Sequence, residues 1–224
     1  MRLLLYSNGA DLLSGTSAAA SGWLRDHLRG ARRLALVPFA GVTVSWDDYA
    51  RNVRRAFGPL DVDVVSVHEA PDPVGAVRDA EAVVIGGGNT FHLIRALYET
   101  GLVGPIRERV AAGAPYVGWS AGANVACPSV RTTNDMPIVE PSTLAALGLV
   151  PFQINPHYTD AHPPGHRGET RADRLAEFVA ANPGVSVVGL PEGTALSVDG
   201  PRLTLLGADA VPVFAGDAPR GALT

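Results

Sequence analysis

Short runs that are apolar at nearly every position alternate, along most of the chain, with longer stretches of helical periodicity. The apolar runs are Arg2 to Ser7, Arg33 to Phe39, Val62 to Val67, Ala82 to Gly86, Tyr116 to Trp119, Val150 to Ile154 and Val185 to Leu190, and they predict strands. Strands apolar on both faces belong to a parallel sheet covered by helices on both sides. Helices are predicted at Thr16 to Leu28, Trp46 to Phe57, Asn89 to Tyr98, Val103 to Ala112 and Thr170 to Ala181, the last opened by Thr170 and Asp173 in a capping-box pattern. The expected fold is an α/β three-layer sandwich with a mostly parallel sheet. After Leu190 the rhythm shortens to Ala195 to Val198, Leu203 to Leu206 and Val211 to Phe214, with Asp199-Gly200 as a turn, which predicts an antiparallel C-terminal edge. The Pro/Gly-rich stretch from Pro156 to Gly168 is too short to separate domains, so residues 1–224 are expected to form one.

Composition narrows the function classes. Hydrophobic residues make up 46% of the 224 positions and charged residues 18%, enough for a packed core. The net charge is −4 and the arginines are scattered, so no basic surface for a phosphate backbone is expected and nucleic acid is not a partner. All 18 basic residues are arginine. The lack of lysine rules out Schiff-base chemistry, a Ser-Lys dyad and a P-loop. Cys127, the single cysteine, offers neither an internal disulfide nor a cysteine metal cluster and suits a reducing compartment. The opening MRLLLYSNGADL is apolar over too few positions for a signal peptide or a membrane span, so a cytoplasmic protein without a membrane partner is expected.

Gly118-Trp119-Ser120-Ala121-Gly122 matches G-x-S-x-G between a predicted strand and a small-residue helical turn, the context that makes the motif a nucleophile elbow. The glycines are needed because β-carbons would clash at so sharp a turn. The serine hydroxyl then stands out at the carboxyl edge of the sheet, with N–H groups of the next helix facing any developing oxyanion. Gly86-Gly87-Gly88-Asn89-Thr90 closes another predicted strand. It is no dinucleotide fingerprint, because Phe91 occupies the position that needs the third glycine. Beside the elbow, Gly88 reads as an oxyanion-hole donor.

A serine nucleophile needs a base. His157, in NPHY after the strand predicted at Val150 to Ile154, would reach the same sheet edge as Ser120. His27 and His68, at a helix end and a strand end, are expected on the surface, and His92 either lines the site or packs. His162 and His166 lie close to His157, but Pro163, Pro164 and Gly165 prevent their presentation on one helix face, so the chemistry reads as metal-free and without a cofactor. The base in turn needs an acid to fix its tautomer. Two carboxylates qualify: Glu192 in GLPEG, directly after a strand, and Asp135 in the polar loop TTNDMP after the elbow helix. The residues alone leave that choice open.

Together, GGGNTFHL, GWSAGANVACPSVRTTNDMPIVEP, INPHYTDAHPPGHRGETRADRLAEF and VVGLPEG resemble the peptidase E family, the aspartyl dipeptidases among cytoplasmic serine peptidases. The resemblance runs from about Pro38 to about Gly193. It implies a fold similar to class I glutamine amidotransferases, the chain order nucleophile, histidine, acid, and hydrolysis of dipeptides that carry an N-terminal aspartate. It implies Ser120 as nucleophile and His157 as base, with the acid at either Asp135 or Glu192. The mechanism that follows sets the N–H groups of Gly88 and Ala121 on the oxyanion. Arg171, in GETR, matches the position that holds the substrate's aspartate carboxylate, and Asn89 is taken as a further substrate-binding residue. The implied partner is a small Asp-X peptide. Two other readings stay open at this point: a related serine hydrolase acting on other aspartyl peptides or polymers, as cyanophycinases do, and a binding module with this fold and no activity.

Overall fold

In the computed structural model, which describes residues 1–161, 164–165, 167–216 and 218–224, with 218–220 as backbone only, the early apolar runs assemble into one sheet. Strands β1 (Arg2–Tyr6), β2 (Arg33–Val37), β3 (Asp63–Ser66), β4 (Ala82–Ile85) and β5 (Tyr116–Trp119) pair in parallel in the order β3-β2-β4-β5-β1. Successive side chains of a strand face opposite ways. Leu3, Leu5, Val37, Val83, Ile85 and Tyr116 therefore bury on one face, and Leu4, Tyr6, Leu34, Leu36, Val84 and Val117 on the other. Each fully buried leucine or isoleucine contributes about 1.5–3 kcal/mol, which is why runs apolar on both faces end up in the middle of the molecule.

Helices cover both faces. After the short α1 (Ala10–Ser14), α2 (Ala18–His27) and α3 (Trp46–Phe57) bring Leu24, Val53 and Phe57 to the second face. Beyond α4 (Pro73–Arg78), α5 (Thr90–Glu99) and α6 (Val103–Ala111) bring Leu93, Leu97 and Ile106 to the first. Side-chain caps set the starts: Ser17 accepts from the N–H of Ala20, Ser45 from Asp48 and Asn89 from His92. The short α1 and α4 carry too few turns to show periodicity in the sequence. Among the described residues no helix is long and apolar enough to cross a membrane.

The α/β class, the mostly parallel sheet and its antiparallel edge are as expected, but the later strands divide between two sheets. The expected strand at Val150 to Ile154 lies at Gln153–Pro156 (β6), and it pairs in parallel with β7 (Ser186–Leu190) outside the main sheet. The hairpin of β8 (Ala195–Asp199) and β9 (Arg202–Leu206) returns to the main sheet, with β8 antiparallel to β1. Strands β10 (Val211–Ala215) and β11 (Ala218–Leu223) complete a four-stranded sheet, β11-β10-β7-β6. Strand β6 is its edge, where Pro156 can sit without the N–H a central strand would need. One face of this sheet adds Ile154, Val188, Leu190 and Val211 to the main core. The other, with Val187 and Phe214, packs on Leu175 and Val179 of α8 (Arg171–Ala181), which opens with the expected Thr170/Asp173 capping box. A fully apolar run tells of burial on two faces and is silent on which sheet provides it.

Candidate active site

Strand β5 turns into the four-residue helix α7 (Ala121–Asn124) through Ser120, whose φ of 52° and ψ of −114° are unusual for a residue with a side chain. The turn is tight enough that a β-carbon on Gly122 would lie 2.0 Å from the carbonyl oxygen of Ile85, so only glycine fits. The Ser120 N–H is held by the carbonyl of Tyr6 at 3.1 Å. This is the geometry of a nucleophile elbow.

His157 follows directly on β6, with φ at 53°. Its Nε2 lies 2.9 Å from Ser120 Oγ, and its Nδ1 lies 2.6 Å from Glu192 Oε1. An ionised carboxylate can only accept, so Nδ1 carries the hydrogen and Nε2 is left to accept from the serine hydroxyl. The side chain of His157 is 39% exposed and that of Glu192 is 63%, so water reaches this end of the relay.

Asp135 stands elsewhere. Its Oδ2 accepts from the backbone N–H of Thr90 at 2.7 Å and from the Thr133 hydroxyl at 3.1 Å, at the N-terminus of α5, where the helix dipole favours a carboxylate. Asn89 caps the same helix: Oδ1 accepts from the N–H of His92 at 3.0 Å and Nδ2 donates to the carbonyl of Met136 at 2.9 Å. That leaves one N–H and one lone pair of the amide for a ligand. Gly88 has φ 142°, and a β-carbon there would lie 2.1 Å from the Ala40 carbonyl oxygen. Its neighbour Gly87 lies against the nucleophile, since a β-carbon on it would come within 2.9 Å of Ser120 Cβ. Ala121, as the first residue of α7, has an N–H with no acceptor in its own helix.

Arg171 opens α8 and faces a cavity of about 540 Å³ lined also by Arg131, Asn134, Asp135, Asn155 and Arg174. Its Nη1 lies 3.5 Å from Asn155 Oδ1, a long contact, and among the described residues no carboxylate pairs with it. Burial, helped by the charge of Arg174, pushes its pKa below the usual guanidinium range. The cavity thus holds a partly desolvated cation beside Asn155, which stands two residues before the base, with Asp135 in the same lining.

Several residues that shape the site carried no readable signal. Ser7, at the end of β1, bonds to the backbone of His157. The Tyr49 hydroxyl donates to the carbonyl of Gly87 at 2.9 Å and steadies the glycine loop. Asn124 ties the elbow helix to β6 by donating to the carbonyl of Ile154 at 2.8 Å, while its own Oδ1 is buried without a partner among the described residues. The only sequence hint was that polar types stand in apolar surroundings.

The other histidines have structural neighbours. His27 and His68, expected on the surface, are partly buried there: His27 Nε2 reaches the carbonyl of Tyr116 at 3.1 Å, and the His68 side chain is 11% exposed between Ser66 and Asp47. Both elements end under a neighbouring strand or helix, which their sequence does not announce. His92 Nδ1 meets the carbonyl of Phe39 at 2.6 Å and packs beside Trp46. His162, Pro163 and His166 lie outside the described residues. Among those described, Asp47, His68 and Glu69 bring possible ligand atoms within 4.8 Å of one another, with Glu69 already bonded to Arg54. Cys127 is buried and unpaired.

Comparison with known proteins agrees with this geometry. The description of Peptidase family S51 matches residues 3–206. Peptidase E of Citrobacter koseri is 48% identical over 210 residues, covering 91% of this chain and 92% of its own. Peptidase E of Shigella flexneri is 46% identical over 222 residues, covering 92% and 97%. The crystal structure of a peptidase from an acI-B1 actinobacterium superposes with a TM-score of 0.72 over 100% of this chain and 93% of its own, and at 20% identity it bears on the fold alone. Neither named relative favours the polymer-cleaving alternative. With the family match spanning nearly all of the main sheet and the elbow, and close relatives covering both ends of the relay, the chain belongs to peptidase family S51 and is a peptidase.

Proposed function

We propose that this peptidase is a serine-type dipeptidase that removes an N-terminal aspartate from Asp-X dipeptides. The observation that carries the reading is the unbroken relay from Ser120 Oγ through the His157 ring to Glu192, with links of 2.9 and 2.6 Å. His157 Nε2 takes the Ser120 proton as the hydroxyl attacks the peptide carbonyl, and Glu192 holds the imidazole in the required tautomer and balances its charge. The N–H groups of Gly88 and Ala121 receive the oxyanion. His157 then protonates the leaving amine, and water releases aspartate from the acyl-enzyme by the reverse route.

Recognition falls to the cavity beside the relay. A carboxylate leaves water at tolerable cost only when a fixed cation meets it, and the planar guanidinium of Arg171 offers two parallel hydrogen bonds. With no carboxylate paired to it among the described residues, it is available to the aspartate side chain of a substrate. Asp135 stands in the same lining and is the acid that meets the substrate's α-ammonium group, with Asn89 supplying its remaining N–H. The cavity volume of about 540 Å³ suits a small ligand. One domain carries all these parts, and the buried thiol of Cys127 is compatible with a cytoplasmic setting.

The test is turnover of Xaa-Leu dipeptides in which only the first residue varies. Selective hydrolysis of Asp-Leu is expected. Equal turnover of Asn-Leu and Asp-Leu would overturn the specificity, and failure to cleave any dipeptide would overturn the dipeptidase reading itself.

A further inference from the structure

All three members of the relay hang from one short segment, Tyr6-Ser7, that has no part in the chemistry. The Tyr6 carbonyl accepts from the Ser120 N–H at 3.1 Å, and the Ser7 N–H donates to the carbonyl of Thr194, just past Glu192, at 3.0 Å. The Ser7 hydroxyl does two things at once. It accepts from the backbone N–H of His157 at 2.9 Å and donates to the carbonyl of Leu190, just before Glu192, at 2.7 Å. Directions are fixed, because the carbonyl can only accept and the amide can only donate. Ser7 is fully buried, so water cannot substitute for either bond.

His157 needs such a hold. It follows the edge strand β6, it comes directly after Pro156, which has no N–H to give, and its φ of 53° is kept only where neighbours over-determine it. The next N–H, that of Tyr158, goes to Leu190 at 3.0 Å. The carbonyl of Leu190 thus gathers Tyr158 and Ser7 together, and Ser7 gathers His157. We propose that Ser7 is a positioning residue of the relay: its hydroxyl pins the backbone of the base and the turn that carries Glu192 to the end of β1, where Tyr6 already holds the nucleophile. This rests on the serine-peptidase reading above.

The experiment compares Ser7→Ala, Ser7→Thr and Ser7→Cys with the unaltered protein, reading kcat and KM on Asp-Leu and the rate at which a fluorophosphonate labels Ser120. Ser7→Ala is expected to lower kcat and the labelling rate by about 30-fold while KM stays within about twofold, since a displaced base costs rate and not affinity. Ser7→Thr keeps the hydroxyl and is expected to stay within about threefold of the unaltered protein. Should Ser7→Ala fail to fold, Ser7→Cys, of similar size with a weak S–H, is read in its place against Ser7→Thr. An unchanged kcat without the hydroxyl, or a Thr variant as slow as the Ala or Cys variant, overturns the proposal. A Ser120→Ala control that turns over Asp-Leu normally would overturn the serine-peptidase reading instead, and labelling reports on Ser7 even where Asp-Leu is not the substrate.

Discussion

The seven-stranded and four-stranded sheets divide the site between them, and they hold their shares differently. The larger sheet carries Ser120 on an elbow whose glycines touch backbone, beside β4 and β5, whose residues are all buried. The smaller sheet carries His157 and Glu192 past the ends of an edge strand and its neighbour, with side chains 39% and 63% exposed. A nucleophile must be placed to within a fraction of an ångström, and backbone packing does that. The base must also take a proton from the water that attacks the acyl-enzyme, which an exposed edge admits. On the proposed mechanism, the rigid half sets whether the reaction occurs and the open half sets its rate.

That division can be broken by single substitutions. Ser120→Ala, on the rigid side, should remove turnover by as much as about 10⁶-fold with an unchanged melting point, since only a hydroxyl is deleted; steady-state assays of freshly purified protein decide this, and unchanged turnover would sink it. On the open side, Arg171→Met should lower kcat/KM on Asp-Leu by at least ~100-fold and leave any activity on Asn-Leu nearly unaltered. An equal loss on both substrates would make Arg171 a structural residue. Glu192→Gln should lower kcat by about 10- to 100-fold, less than the ~10⁴ known for a buried orienting acid, because solvent screens an exposed carboxylate and the amide oxygen still accepts from Nδ1. Asp135→Asn should act on KM instead, raising it by about tenfold with kcat little changed, and the reverse pattern in the two variants would exchange their roles.

The smallest effect concerns the rigid half alone. His27 sits under β5, and burial, together with the charge of Arg2, lowers its pKa to about 4. An unfolded histidine takes up its proton near 6.5, so the stability due to keeping His27 neutral is whole above that pH and is lost as the pH falls toward 4. Between pH 7 and pH 5 the loss is about 2 kcal/mol. Urea melts at the two pH values should show a drop that His27→Gln lacks; the same drop in both proteins would refute it.

The legible parts of the molecule were those where local pattern and chemistry coincide. G-x-S-x-G declared the elbow because only glycine tolerates the contact between position 122 and the Ile85 carbonyl. His157 was legible from its place just past a strand, even though that strand runs from Gln153 to Pro156 and not from Val150. Its membership of a second sheet was not, because Ile154 and Val188 are as apolar as Leu34 or Val84 and pairing partners leave no local trace. The choice between Asp135 and Glu192 likewise needed three dimensions: each is an acid in a turn, and only the fold sets one against the His157 ring and the other on the α5 amides. Ser7 was the least visible, a lone serine whose partners lie 150 and 183 residues away.

Those separations also shape how the protein comes into being. Strand β1 comes before both of its partners in the chain, yet it lies inside the sheet, between β5 and β8. Its second edge stays open until β8 has been made, an apolar Leu3-Leu4-Leu5 ribbon that invites pairing with another chain in the meantime. On the proposed mechanism the relay is also completed late, because Ser120 precedes the histidine by 37 residues and the acid by a further 35. A chain cut short before Glu192 would therefore lack the relay and still carry the open edge of β1.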